Sequence, residues 1–326
     1  MKKFLFLLTA FVMLFVGVGV NEANAQQDAQ YSMYMFNGLA VNPAYAGSRE
    51  RPVVLALYRH QWAGFGDGVP RTALVAAHAP LMNDRIGLGI SLGSDNIGVT
   101  NMTNVTLSYA YRLPVGKKAF WKGKLSFGLN AQFNNYRQRW SEITSTTGGD
   151  PSFSQNSQNV FSPNFGAGVY YYTEKFYLGA SIPHMLNTSL SDNVKLSGTN
   201  NLVARTSRHY FFTLGAIVKL NDNLKLRPSI LFKYVENTPF QADYNVSLLI
   251  KESLWLGASF RSSFQQPAAV LGMIEYMFVK GLRLGYAYDY TLSGIGAYQS
   301  GSHEIMLSYE FGKKDKYLSP RRMSYF

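Results

Sequence analysis

Residues 282–290 read LRLGYAYDY. Leu282, Leu284, Tyr286, Tyr288 and Tyr290 fall on one side of an extended chain, and Arg283, Gly285, Ala287 and Asp289 on the other. Successive strand side chains point to opposite faces, so such a segment builds a sheet with one apolar and one small or polar face. The same rhythm runs through Ala242, Tyr244, Val246, Leu248 and Ile250, with Asp243, Asn245 and Ser247 between them. It recurs at Ile305, Leu307, Tyr309 and Phe311, and at Leu125, Phe127, Leu129, Ala131 and Phe133. Followed along the chain, the alternation predicts fourteen strands, at 51–62, 71–80, 85–94, 101–113, 122–138, 162–173, 175–183, 206–220, 223–236, 240–251, 253–263, 267–279, 281–291 and 302–312.

The connections alternate in length. Leu81 to Asp84, Glu174, Asn221-Asp222, Glu252 and Lys280 are tight, and Pro114 to Trp121 is somewhat longer. Between them lie longer links rich in Ser, Thr, Asn and Gly, notably Trp140 to Phe161 and His184 to Arg205. An even strand number, short turns on one rim and longer loops on the other form the pattern of an outer-membrane β-barrel. Hydrocarbon offers backbone groups no partner, and a closed barrel pairs them all. The apolar face then meets lipid and the polar face lines the lumen. Trp62, Trp121, Trp140 and Tyr290, at strand ends, suit interfacial aromatic girdles. A soluble β-sandwich or a lipocalin-like barrel shares the alternation with the faces reversed. Strand length, strand count and the leader favour the membrane form. The fold class expected is all-β: a transmembrane outer-membrane barrel of about 14 antiparallel strands over 51–312.

Lys2 and Lys3, the apolar run Phe4 to Val20, and Ala23-Asn24-Ala25 make residues 1–25 a cleaved secretory signal peptide. No later apolar run reaches the roughly 18 residues of a membrane helix. Charged residues make up only 15% of the chain, against about 25% in soluble domains. With no cysteine, disulfides are excluded. The formal charge of +12 is carried by scattered residues, which argues against nucleic acid as a partner.

Catalytic material is sparse. His60, His78, His184, His209 and His303 show no metal-ligand spacing, and no nucleophile elbow, P-loop or dinucleotide fingerprint occurs. No metal, cofactor or enzymatic activity is expected. An outer-membrane hydrolase would have to draw on His60, His78, His209 and Asp289, which read more simply as lumen or rim residues. Lys233, Arg261, Glu275, Arg283 and Asp289 are expected to pair as charges inside the barrel. The run Lys313-Lys314-Asp315-Lys316 opens a solvated tail, 313–326, assigned to the periplasm.

Several strings are more specific. Gln26-Gln27-Asp28, Gln30-Tyr31-Ser32, Tyr34-Met35-Phe36-Asn37 and Val41-Asn42-Pro43-Ala44-Tyr45-Ala46-Gly47 stand at the head of the expected mature chain. Gly301-Ser302-His303-Glu304-Ile305-Met306-Leu307-Ser308-Tyr309 stands at its end. With Tyr58-Arg59, Gln61-Trp62, Pro70-Arg71-Thr72, His78-Ala79-Pro80 and residues 163–171, these strings resemble the PorP/SprF family of outer-membrane proteins. Gly38-Leu39-Ala40 departs from the family's Pro-containing stretch, and the tail Ser319 to Phe326 departs from its S-P-R-Y-F ending.

The resemblance implies a non-enzymatic component of the type IX secretion and gliding machinery of Gram-negative Bacteroidota. It would support export or surface anchoring of proteins bearing a C-terminal sorting domain. Outer-membrane lipid and periplasmic secretion-ring or peptidoglycan-linking components would be its other partners. The alternative function is a passive porin for small solutes.

Residues 26–50 follow neither period. They are expected to fold up into the lumen as a plug or to bind a periplasmic partner below it, through Gln27, Asp28, Tyr31, Tyr34, Met35, Phe36, Asn37, Asn42, Pro43 and Tyr45. Met and aromatic side chains give adaptable apolar contact, and Asn42-Pro43-Ala44-Tyr45 reads as a turn into the first strand.

Overall fold

A computed structural model describes residues 29–116, 121–139, 159–187, 207–236, 238–263 and 266–312. The leader, Gln27, Asp28, Trp140, most of the two long connections and the tail from 313 lie outside the described residues. The described chain opens with three single-turn 3-10 helices, η1 (Tyr34–Phe36), η2 (Gly38–Ala40) and η3 (Pro43–Tyr45). Strands follow: β1 (Val53–His60), β2 (Arg71–Leu81), β3 (Ile86–Ile97), β4 (Thr100–Val115), β5 (Gly123–Gln138), β6 (Val160–Thr173), β7 (Phe176–His184) and β8 (His209–Ala216). The remainder are β9 (Val218–Lys219), β10 (Leu224–Val235), β11 (Gln241–Ile250), β12 (Leu254–Ser263), β13 (Gln266–Val279), β14 (Leu282–Thr291) and β15 (Ser302–Glu310).

Each strand pairs antiparallel with its neighbours, and β15 pairs with β1 from Val53↔Glu310 to His60↔His303, which closes the ring. β8 and β9 both pair with β10 and form one stave broken at Ile217, so the barrel has fourteen staves. The break departs from the single strand expected over 206–220. Ile217 donates its N–H to Lys175 O at 2.7 Å, and its side chain packs against both apolar clusters of the lumen.

A second difference concerns the β3–β4 hairpin. Its strands run on to Ile97 and Thr100, past the expected ends at 94 and 101, and leave a two-residue turn with Gly98 at φ 56°. Asp95 accepts a side-chain hydrogen bond from Thr72 of β2, which keeps the extension attached to the wall. The opposite rim carries tight turns. Met82, Asn83 and Asp84 all have positive φ there, as do Lys251 and Glu252, the left-handed backbone that tight hairpins require.

The structure decides which face is which. Tyr58, Val75, Leu92, Leu129, Phe165 and Val246 are exposed on the outer surface. Arg59, Arg112, Asn164, Arg227, Asp243 and Glu304 are buried inside. Apolar outside and charged inside is the reverse of a water-soluble protein and the arrangement that a bilayer imposes. Leu129 is 61% exposed. Leu129→Arg is expected to destabilise the barrel by about 2–4 kcal/mol in lipid vesicles if it lies near the midplane. Urea titration checks this, and a change within about 0.5 kcal/mol would place the side chain in water.

Candidate functional site

Residues 29–50 run through the lumen. Met33, Tyr34, Met35, Phe36 and Val41 cluster with Leu55, Leu57, Leu74, Leu231, Leu249, Trp255, Met273 and Met306 of the wall. Leu39, Ala44, Tyr45 and Ala46 form a second cluster with Ala76, Ala110, Tyr170, Tyr172 and Tyr177. The two clusters draw on strands all round the barrel, so the segment crosses the lumen rather than lining one side. Asn37 is buried with them, 3% exposed.

The segment is tied at its start by charge. Glu304 accepts the backbone N–H groups of Ser32 and Met33 at 2.8 and 2.7 Å, while Ser32 Oγ donates to Asp289 at 2.6 Å. Arg59 bridges these carboxylates, 2.7 Å from Asp289 and 3.3 Å from Glu304. Arg261 extends the chain, 3.3 Å from Asp289 and 2.9 Å from Asp243, and Asp243 accepts from Lys233 at 2.8 Å. Arg261 also donates to Gln30 Oε1 at 3.0 Å and to Tyr31 O at 3.5 Å. Three cations therefore face three carboxylates, and the node is neutral. In a low-dielectric interior such groups are tolerable only when paired and hydrogen-bonded.

The other end is tied by neutral hydrogen bonds. Asn42 caps η3 by accepting from Ala44 N at 2.9 Å, with Pro43 at the first helical position, where it lacks only a free donor. The Asn42 amide donates to Val169 O, Ser181 Oγ to Val41 O, and Ser126 Oγ to Ala44 O, the last two at 2.7 Å. Arg112 spends its donors on the carbonyls of Ala46, Asp84 and Ile86, so it clamps the end of the segment to the β2–β3 turn. A Cβ at Gly128 would overlap the backbone of Ala44, and one at Gly87 the carbonyl of Ala46. The wall is thus shaped to admit the segment.

Of the charges singled out from sequence, Lys233, Arg261 and Asp289 meet in the node. Glu275 and Arg283 pair separately at 3.1 Å near the short-turn rim. There Arg227 lies 4.5 Å from the ring of Phe36 and 4.1 Å from that of Trp255, within cation–π range. Arg59, Asp243 and Glu304 were not singled out. Their signal was parity, since each continues the lumen-facing set of its strand. The hydrolase candidates are dispersed. Asp289 is held by Ser32, Arg59 and Arg261; His78 accepts from Gly47 N at 3.1 Å; His209 sits beside His184, and His60 opposite His303. No group of three His, Asp or Glu that could hold a metal occurs among the described residues.

The model of the type IX secretion system membrane protein family PorP/SprF matches residues 23–309, lumenal segment and barrel together. The chain belongs to the PorP/SprF family. It is accordingly a membrane component of type IX secretion and resides in the outer membrane. No curated protein matches it. Similar solved structures include Omp33 of Acinetobacter baumannii, with 9% identity over 80% of this chain and 98% of that one and a TM-score of 0.46. A FadL homologue of Pseudomonas aeruginosa shows 13% identity over 86% and 94%, with a TM-score of 0.44. The monoaromatic hydrocarbon channel CymD shows 10% identity over 85% and 93%, with a TM-score of 0.47. For this PorP/SprF chain the barrel itself stands on its own strand pairing.

Removing one partner of a buried ion pair typically costs about 3–5 kcal/mol. Arg59→Ala leaves Glu304 without its cation and Asp289 with Arg261 alone, and loosens Ser32, so it is expected to destabilise the protein by about that amount. It should also expose residues 29–50 to protease in detergent. Protection equal to wild type would separate the segment from the node.

Proposed function

We propose that this barrel is a closed, non-enzymatic element of type IX secretion and gliding that supports export or surface anchoring of proteins carrying a C-terminal sorting domain. One observation carries the reading beyond family membership. The lumen is crossed by residues 32–46, held by two apolar clusters and by hydrogen bonds at both ends. A barrel built for diffusion of small solutes has no use for that filling, so the passive-porin alternative loses support. The short-turn rim, by the usual orientation of such barrels, faces the periplasm. Secretion-ring or peptidoglycan-linking components would meet the protein there.

Two measurements test the proposal. Deleting the gene should abolish display of a sorting-domain protein and leave general outer-membrane integrity intact; normal display contradicts it where no second family member substitutes. Removing residues 27–47 should leave a barrel that inserts but does not support display. In planar bilayers the truncation should pass steady current and the intact chain should not. Wild-type display by the truncation would refute a role for the segment.

A further inference from the structure

One row of residues on the outer surface of the barrel is polar and basic. His303 of β15 stands opposite His60 of β1, and His60 opposite Arg71 of β2. Arg71 stands opposite Asn96 of β3, Asn96 opposite Asn101 of β4, and Asn101 opposite Arg137 of β5. Directly paired residues share one face of a sheet. That face is the outer one. Tyr58, Val75, Leu92, Val105, Phe133 and Ile305 each stand two or four residues from a member of the row on the same strand, and all are exposed.

The row lies at the long-loop ends of its strands. Four residues of tilted strand rise roughly 10 Å, so Arg71 and Arg137, both exposed, stand among lipid headgroups and clear of the hydrocarbon. Further round this rim the outer face carries aromatics instead: Phe161 of β6, and Tyr210 and Tyr234 of β8 and β10, whose rings lie 5.8 Å apart.

The charge of the row is one-sided. Every Asp and Glu of the described strands faces the lumen: Asp95, Asp243, Glu275, Asp289 and Glu304 are buried there, and Glu310 reaches Arg51 and Arg283. Among the described residues Arg71 and Arg137 make no ion pair, in contrast to the neutral node inside. Asp67, exposed in the connection from β1 to β2, is bonded to neither. Guanidinium groups that face a membrane without a protein carboxylate draw their counter-charge from the lipid, and their planar fork matches two oxygens of a phosphate at once.

The neighbours of the two arginines narrow the class of lipid. Asn96 and Asn101, between them, are hydrogen-bonded to each other, which leaves amide donors and acceptors over for hydroxyl groups. His303 is held by the Tyr286 hydroxyl, 2.7 Å from Nδ1, and by the ring of Tyr288, 5.3 Å away. Three strand spacings, about 14 Å, separate Arg71 from Arg137. Arginines that flank carboxamides over such a span suit a phosphorylated sugar better than the small headgroup of a phospholipid.

We infer that the outer face of β15 and β1 to β5, at the long-loop rim, binds the phosphorylated sugar headgroup of an outer-leaflet glycolipid of the lipid A type. Arg71 and Arg137 take phosphate, and Asn96 and Asn101 take sugar hydroxyls. The site is independent of the anchoring function proposed above.

Native mass spectrometry of the purified full chain, titrated in detergent with diphosphorylated lipid A, tests the site. A saturable adduct is expected. The double variant Arg71→Gln, Arg137→Gln should bind about thirtyfold more weakly, since each arginine at a charged lipid surface is worth about fivefold. Arg85→Gln, in the tight turn between β2 and β3, should bind as wild type does. Heat-modifiable gel mobility reports folding. If the double variant does not fold, Arg137→Gln alone is compared with Arg85→Gln and should bind about fivefold more weakly. Lipid A stripped of its phosphates should bind wild type no more tightly than intact lipid A binds the double variant. Equal affinity of wild type and folded variant overturns the site, as does equal affinity for the stripped lipid. Phosphatidylglycerol bound as tightly as lipid A overturns the glycolipid assignment, in favour of a general attraction for anionic lipid.

Discussion

Every backbone N–H and C=O that enters hydrocarbon needs a partner within the protein, and the remainder of this structure follows from that requirement. Strands meet it only by closing, and here β15 returns to β1 with eight consecutive residue pairs. Closure with fourteen staves encloses more space than side chains of the wall alone can fill, since filling from the wall suffices at about eight strands. The lumen must then hold either water or additional chain. In this protein it holds chain, from the charge node at the long-loop ends of β1, β12, β14 and β15 to the Arg112 clamp at the short-turn rim.

Filling a barrel with its own N-terminal segment sets two further conditions. The segment's backbone, irregular and buried, must be satisfied, and the wall answers with Glu304 at one end and with Ser126, Ser181 and Arg112 at the other. Its apolar side chains must be covered, which is why Leu55, Leu57, Leu74 and Trp255 point inward in a fold whose interior is otherwise polar. Glycines at 87 and 128 complete the fit by giving the segment room. The result is a division of the lumen into a packed part and a cavity of mixed polar and apolar lining.

The strands were legible because alternation repeats fourteen times, and the observed bounds differ from the expected ones by a few residues. What was not legible has a common cause. On β1 both faces are apolar, Val53, Leu55 and Leu57 inward and Val54, Ala56 and Tyr58 outward, because one meets the segment and the other lipid. No hydropathy pattern separates those two solvents. The bond from Asp289 to Arg59 was equally hidden: Arg59 lies 230 residues away in sequence, and only closure of the ring through β15 and β1 brings the two together. At the break, Ile217 packs against both lumenal clusters, a contact that a strand's own residues do not announce.

The central claim is that residues 32–46 are a built part of the folded barrel. Amide hydrogen exchange of the full chain in detergent, followed by mass spectrometry, measures it directly. The account predicts that peptides covering 32–46 exchange nearly as slowly as those of β14 and β15, since most of their N–H groups are bonded to the wall or within the segment's own turns. Exchange over 32–46 at the rate of an unprotected chain, with the strands still protected, would contradict it.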